Sequence, residues 1–105
     1  MIRYRISATA EHDLEEIFLY WTNRVSPETG ERVLERIVER FSLLAAYPKV
    51  GRLCAEVASD VRCFPAGKYL IYYRVTRHWT DVLHVFHGAR DQRKAFSESD
   101  PSTPR

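Results

Sequence analysis

The segment His87-Gly88-Ala89-Arg90-Asp91 carries the residues best suited to meeting an anionic partner. It follows an apolar, strand-like run, so the glycine can turn the chain and leave Arg90 near a sheet end. A guanidinium there presents a planar fork of donors that matches a carboxylate or a phosphate. The same two charges, Arg90 and Asp91, are equally able to pair with neighbouring groups and hold the following segment down. Arg62, beside Val61 and ahead of Phe64, and Arg74, near the end of Lys68-Tyr69-Leu70-Ile71-Tyr72-Tyr73-Arg74-Val75, sit where strands give way to loops. Each could contact a partner, or lay its alkyl stem over apolar surface. Arg62, Arg74, His87, Arg90 and Asp91 are therefore the candidate contact residues, and no catalytic set accompanies them.

Other chemistries find no support in the spacing. His84 and His87 are three apart on a strand and point to opposite faces. His12 falls on a helix and His78 in a turn, so no metal-ligand spacing is written. Cys54 and Cys63 are nine apart and form no C-x-x-C, so neither a zinc nor a redox motif is written, and Cys63 reads as a small packing residue. Gly51 and Gly67 are isolated turn glycines rather than a phosphate-cradling loop. The serines are scattered without a nucleophile elbow. Tyr72 and Tyr73 read as packing residues. No metal and no small-molecule cofactor is expected.

Charge divides the chain. Residues 8–47 carry eight acids against four arginines, a local charge of −4, whereas residues 61–94 carry seven bases against two acids, a local charge of +5. A basic half favours an anionic partner: nucleic acid, phosphate or an acidic peptide. The apolar runs are far too short to span a membrane and no apolar leader opens the chain, so the expected location is the cytoplasm.

Those residues must be positioned by one domain, since 105 residues supply a single modest core. Residues 2–6 alternate Ile-Arg-Tyr-Arg-Ile, the pattern of a half-buried strand. Ser7 fits a helix N-cap, followed by Ala10, Leu14, Ile17, Phe18 and Trp21 at helical spacing. A short link over residues 22–25 leads to Ser26-Pro27, a cap with proline at the first helical position. Leu34, Ile37, Val38, Phe41, Leu44 and Ala45 form the second stripe, and Pro48 stops the helix. The period then falls to two: residues 61–64, 69–75 and 82–87 read as strands, with turns at 65–67 and 77–80. The expected fold is α+β, ordered β-α-α-β-β-β, with an antiparallel sheet covered on one face by an N-terminal helix hairpin. In the middle strand Tyr69, Ile71, Tyr73 and Val75 should face inward, leaving Leu70, Tyr72 and Arg74 on an open, basic face. The domain should occupy residues 1–96, with a loose tail over 97–105.

The order of motifs resembles the ParE toxins of the RelE/ParE superfamily. Ser7-x-x-Ala10-x-x-Asp13-Leu14-x-x-Ile17 is similar to that family's opening and Leu44-x-x-Tyr47-Pro48-x-x-Gly51-Arg52 to its middle. Arg62-x-Phe64, Tyr69-x-Ile71-x-Tyr73-Arg74 and His87-Gly88-x-Arg90-Asp91 are similar to its sheet. The resemblance implies the toxin of a toxin–antitoxin pair, acting by binding DNA gyrase rather than by catalysis. It also implies a ParD-like antitoxin whose acidic C-terminal segment wraps the toxin, and a higher-order toxin–antitoxin hetero-oligomer. The RelE-like branch, which cleaves mRNA on the ribosome, is the alternative. Arg90 aligns with one arginine of that nuclease set, but Phe96 stands where its tyrosine would fall and Pro65-Ala66 where a further arginine would. A phenylalanine can exchange no proton.

Overall fold

The computed structural model describes residues 3–88. Its elements are β1 (Tyr4–Ile6), α1 (Ala8–Arg24), α2 (Pro27–Ala46), β2 (Arg52–Leu53), β3 (Val61–Ala66), β4 (Tyr69–Val75) and β5 (Thr80–His87). The expected order is present, with one addition, the two-residue β2. The sheet order is β1-β5-β4-β3-β2. Pairing from β2 to β5 is antiparallel, whereas β1 joins β5 in parallel, so the sheet is mixed rather than wholly antiparallel.

Both helices start as their caps dictate. The Ser7 hydroxyl accepts the Ala10 N–H at 3.0 Å, and the Ser26 hydroxyl accepts the Thr29 N–H at 3.2 Å. The link between the helices is shorter than residues 22–25: α1 continues to Arg24, whose charge suits a helix C-terminus, and the Val25 N–H closes the last turn on Trp21 O at 2.8 Å. At Gly30 the two helices meet closely. A Cβ there would lie 2.9 Å from Thr22 Oγ1 and 3.0 Å from Phe18 Cδ1. The turn between β3 and β4 is tighter than expected. Pro65 and Ala66 stay in β3, and Gly67 turns the chain with φ +62°.

The core lies between the hairpin and the inner sheet face. Ile17, Ile37, Phe41 and Leu44 pack against Tyr69, Ile71, Tyr73, Val82 and Val85. Tyr69, Ile71 and Tyr73 thus face inward as expected, whereas Val75, at the strand end, is exposed. The outer face is not open. The segment after β2, a strap over residues 54–60, closes over it, and Cys54, Val61, Cys63, Tyr72 and Phe86 form a second apolar cluster flanked by Val57 and Ala58. Tyr72, expected on an open face, is fully buried there. The strap leaves few apolar residues in the sequence, which is why periodicity alone assigned no cover to that face.

Candidate binding surface

The described contact candidates occupy three separate places. Arg62 opposes Tyr73 in the sheet register, on the helix side of β3. Its Nη1 donates to Gly51 O at 2.7 Å. Tyr73 works on the same loop: its hydroxyl donates to Pro48 O at 2.7 Å and accepts the Gly51 N–H at 2.9 Å. Arg62 and Tyr73 together hold the loop over residues 48–51 against the sheet. Glycine is required there, because a Cβ at position 51 would overlap the Tyr73 hydroxyl and lie 2.8 Å from Cys63 O. Burial pushes the Tyr73 phenol above its ordinary range, so it stays a neutral donor at physiological pH.

Arg74 lies on the outer face, with its Nε 2.6 Å from Asp60 Oδ2. It ties the far end of the strap to β4. His87, at the end of β5, opposes Tyr69 and meets that ring edge-on at 5.6 Å. Arg62, Arg74 and His87 therefore do not share one basic face: register places Arg74 on the side opposite Arg62, and His87 at the other end of the sheet from both. Arg90 and Asp91 lie outside the described residues.

His87 belongs to a groove that sequence reading did not assemble. It runs between α1 and the paired ends of β4 and β5, has a volume of about 530 Å³, and is lined by Asp13, Glu16, Ile17, Tyr20, Trp21, Lys68, Tyr69, Val85, Phe86 and His87. Trp21 Nε1 donates to the Tyr69 hydroxyl at 2.9 Å, which fixes the groove wall to its floor. Tyr20 packs edge-on against Trp21 at 5.3 Å and carries the Arg24 guanidinium over its ring at 4.7 Å. Aromatic faces that combine an apolar body with a polar tip suit a peptide better than a solvated surface does. The sequence held one signal for this: Leu19 and Tyr20 interrupt the polar side of α1, and they are 52% and 47% exposed.

The inner end of the groove rests on a fixed junction. Asp13 Oδ2 accepts the Val85 N–H at 3.1 Å and lies 3.1 Å from His84 Nδ1. His84 is buried and stacks on Phe86 at 4.7 Å. β1 pairs with β5 only as far as Val82, so the rest of that strand edge needs other partners. Ser7 and Thr9 supply them, each donating a hydroxyl to Leu83 O, at 2.9 and 3.1 Å. The first two turns of α1 thus seal the β5 edge. By contrast, β2 pairs with β3 only as far as Cys63, and no strand among the described residues covers the outer edge of β3 from Phe64 to Ala66.

Among the described residues no three His, Cys, Asp or Glu side chains converge as metal ligands would, and no helix is long and apolar enough to cross a membrane.

Known proteins agree with this geometry. A relative named toxin ParE1 from Mycobacterium tuberculosis is 34% identical over 90 residues, covering 85% of this chain and 92% of its own. A second toxin ParE1, from Caulobacter vibrioides, is 23% identical over 90 residues, covering 86% and 93%. The fold matches a chain of the chromosomal ParDE toxin–antitoxin system from P. aeruginosa with a TM-score of 0.73 at 19% identity, over 83% of this chain and 96% of that one. The family model for the ParE toxin of the type II toxin–antitoxin system parDE matches residues 4–92, and that span takes in the helix hairpin, the sheet and the groove; the chain belongs to the ParE toxin family.

Proposed function

We propose that this protein arrests bacterial growth by binding DNA gyrase and is neutralised by a ParD-like antitoxin that occupies the groove between α1 and the β4–β5 ends. The observation that carries the antitoxin half is the groove itself. Its lining is largely apolar and aromatic, with Lys68 and His87 on the sheet side and Asp13 and Glu16 on the helix side, and its volume of about 530 Å³ accepts the side chains of an amphipathic segment. The excess of positive charge in the sheet half favours an acidic segment over a basic one. The uncovered β3 edge offers backbone groups to an extended continuation of the same segment. Such a segment would order as it binds, so its affinity depends on the anchors it buries.

Inhibition of gyrase by binding is supported by family membership and by the basic character of the sheet half. The target contact is assigned to the surroundings of Arg74 on the outer sheet face, so that target and antitoxin engage different parts of the toxin, and Arg90 remains a contact candidate for either partner. Assembly with the antitoxin into a higher-order complex in the cytoplasm completes the proposal.

The test is induced expression with and without the neighbouring gene, scored for growth, alongside a supercoiling assay with purified gyrase. Arrest relieved by the neighbour, with gyrase inhibited, supports the proposal. Arrest with gyrase untouched and translation halted would replace it with a ribosome-directed activity.

A further inference from the structure

We propose that Cys54 and Cys63 form a reversible dithiol–disulfide pair that locks or frees the strap over the outer sheet face. Cys54 directly follows β2 and Cys63 lies in β3, and their side chains share the outer apolar cluster with Tyr72 and Phe86. Both thiols are free and buried, at 0% and 3% exposure, and their Sγ atoms lie 2.7 Å apart. A disulfide places its sulfurs about 2.0 Å apart, so the side chains need move by well under an ångström. These are the only two cysteines of the chain, so an internal bond consumes both.

What the bond would secure is held by modest contacts. The strap returns on itself through the Cys54 N–H to Val61 O at 2.7 Å and the Val57 N–H to Cys54 O at 2.9 Å. At its surface it relies on Arg52 with Glu56 at 3.2 Å and Arg74 with Asp60 at 2.6 Å, pairs that solvent screens. A segment held this way opens locally more often than the sheet beneath it. Opening would uncover Cys54, Cys63 and the apolar cluster together.

Opening also controls the chemistry. Burial, with the neighbouring sulfur second, pushes the Cys54 thiol up to about 12, so the closed strap holds little thiolate. Once the strap opens, one cysteine loses its proton to water and its thiolate attacks a sulfur of a low-molecular-weight disulfide, expelling one small thiolate. The second cysteine, likewise deprotonated, attacks the resulting mixed disulfide and expels the other. The protein pair is oxidised by two electrons, and the small disulfide is reduced to two thiols, which take up the two protons. In a reducing compartment the pair rests as the free thiols described.

The experiment uses the whole chain with glutathione disulfide as the probe. Intact mass and thiol alkylation in denaturant are read before and after treatment, and protease cleavage within residues 54–60 is timed. Oxidation should remove both thiols together, lower the mass by two hydrogens, leave a monomer and slow cleavage of the strap several-fold, all reversed by dithiothreitol. Cys54→Ala and Cys63→Ala, either of which removes the bond, should show no slowing. Two alkylatable thiols after treatment, glutathione held on both cysteines, dimers joined between chains, or a disulfide that leaves cleavage unchanged would each overturn the proposal.

Discussion

The Tyr73 hydroxyl is both donor and acceptor to one loop, and that dual role sets its weight. Tyr73→Phe leaves Pro48 O and the Gly51 N–H without their partner, in a place where water has little access. Unsatisfied buried groups cost about 1–3 kcal/mol, so urea denaturation should show a loss of that order with an unchanged m-value. Arg62→Ala should loosen the same loop through Gly51 O, with a smaller effect because its guanidinium is partly solvated. Arg90 stands differently. If it meets the target or the antitoxin, Arg90→Ala should reduce growth arrest or antitoxin affinity more than Arg77→Ala does, since Arg77 sits in the turn between β4 and β5. Equal effects in a growth assay and a binding titration would remove the reason to single it out. Of the contact candidates, sequence reading placed each near a strand end but could not say which face it served. Arg62 and Arg74 look alike in the chain, and only the register and the strap separate them.

The helix pair and the sheet were legible because their periods differ. Apolar spacing of three and four gave α1 and α2, Ser7 and Ser26-Pro27 marked their starts, and the change to a period of two marked β3 to β5. Three features escaped for physical reasons. β2 is two residues long, too short to show any period. The strap covers the outer face with little more than Cys54, Val57 and Ala58, a signal below that of any amphipathic element. The groove draws on α1, the β3–β4 turn and the end of β5, which only the fold brings together. The contact at Gly30 gives a test at this scale. Alanine should gain about 1 kcal/mol of helix propensity but overpack against Phe18 and Thr22, which costs about 1–3 kcal/mol. Gly30→Ala should therefore be neutral to destabilising by up to about 2 kcal/mol in chemical denaturation. A clear gain in stability would show that the helices are free to move apart.

At the scale of the whole molecule, buried ionisable groups set the alkaline limit of stability. Burial raises Cys54 from 9.0 to about 12 and raises the Tyr72 and Tyr73 phenols above their ordinary 10.0. A group raised on folding stays protonated in the native state while the unfolded chain loses its proton. The native state then binds more protons, so stability is full below pH 9 and falls as pH rises above it. Thermal unfolding from pH 7 to 11 should show a plateau and then a decline beginning near pH 9. Cys54→Ala should remove its earliest part. The larger organisation is a split one: an acidic helix hairpin seals one edge and one face of a basic sheet, and leaves an aromatic groove beside β5 and an uncovered edge of β3 on the far side of the same strand ends. The proposed function assigns the groove to the neutraliser and the outer face to the target. The most direct measurement is supercoiling by purified gyrase in the presence of this protein, with and without its antitoxin, and with Trp21→Ala as a groove variant. The account predicts inhibition by the protein, relief by the antitoxin, and inhibition by Trp21→Ala that the antitoxin relieves poorly. Unimpaired supercoiling at every toxin concentration, from a preparation that arrests growth when expressed, would contradict it.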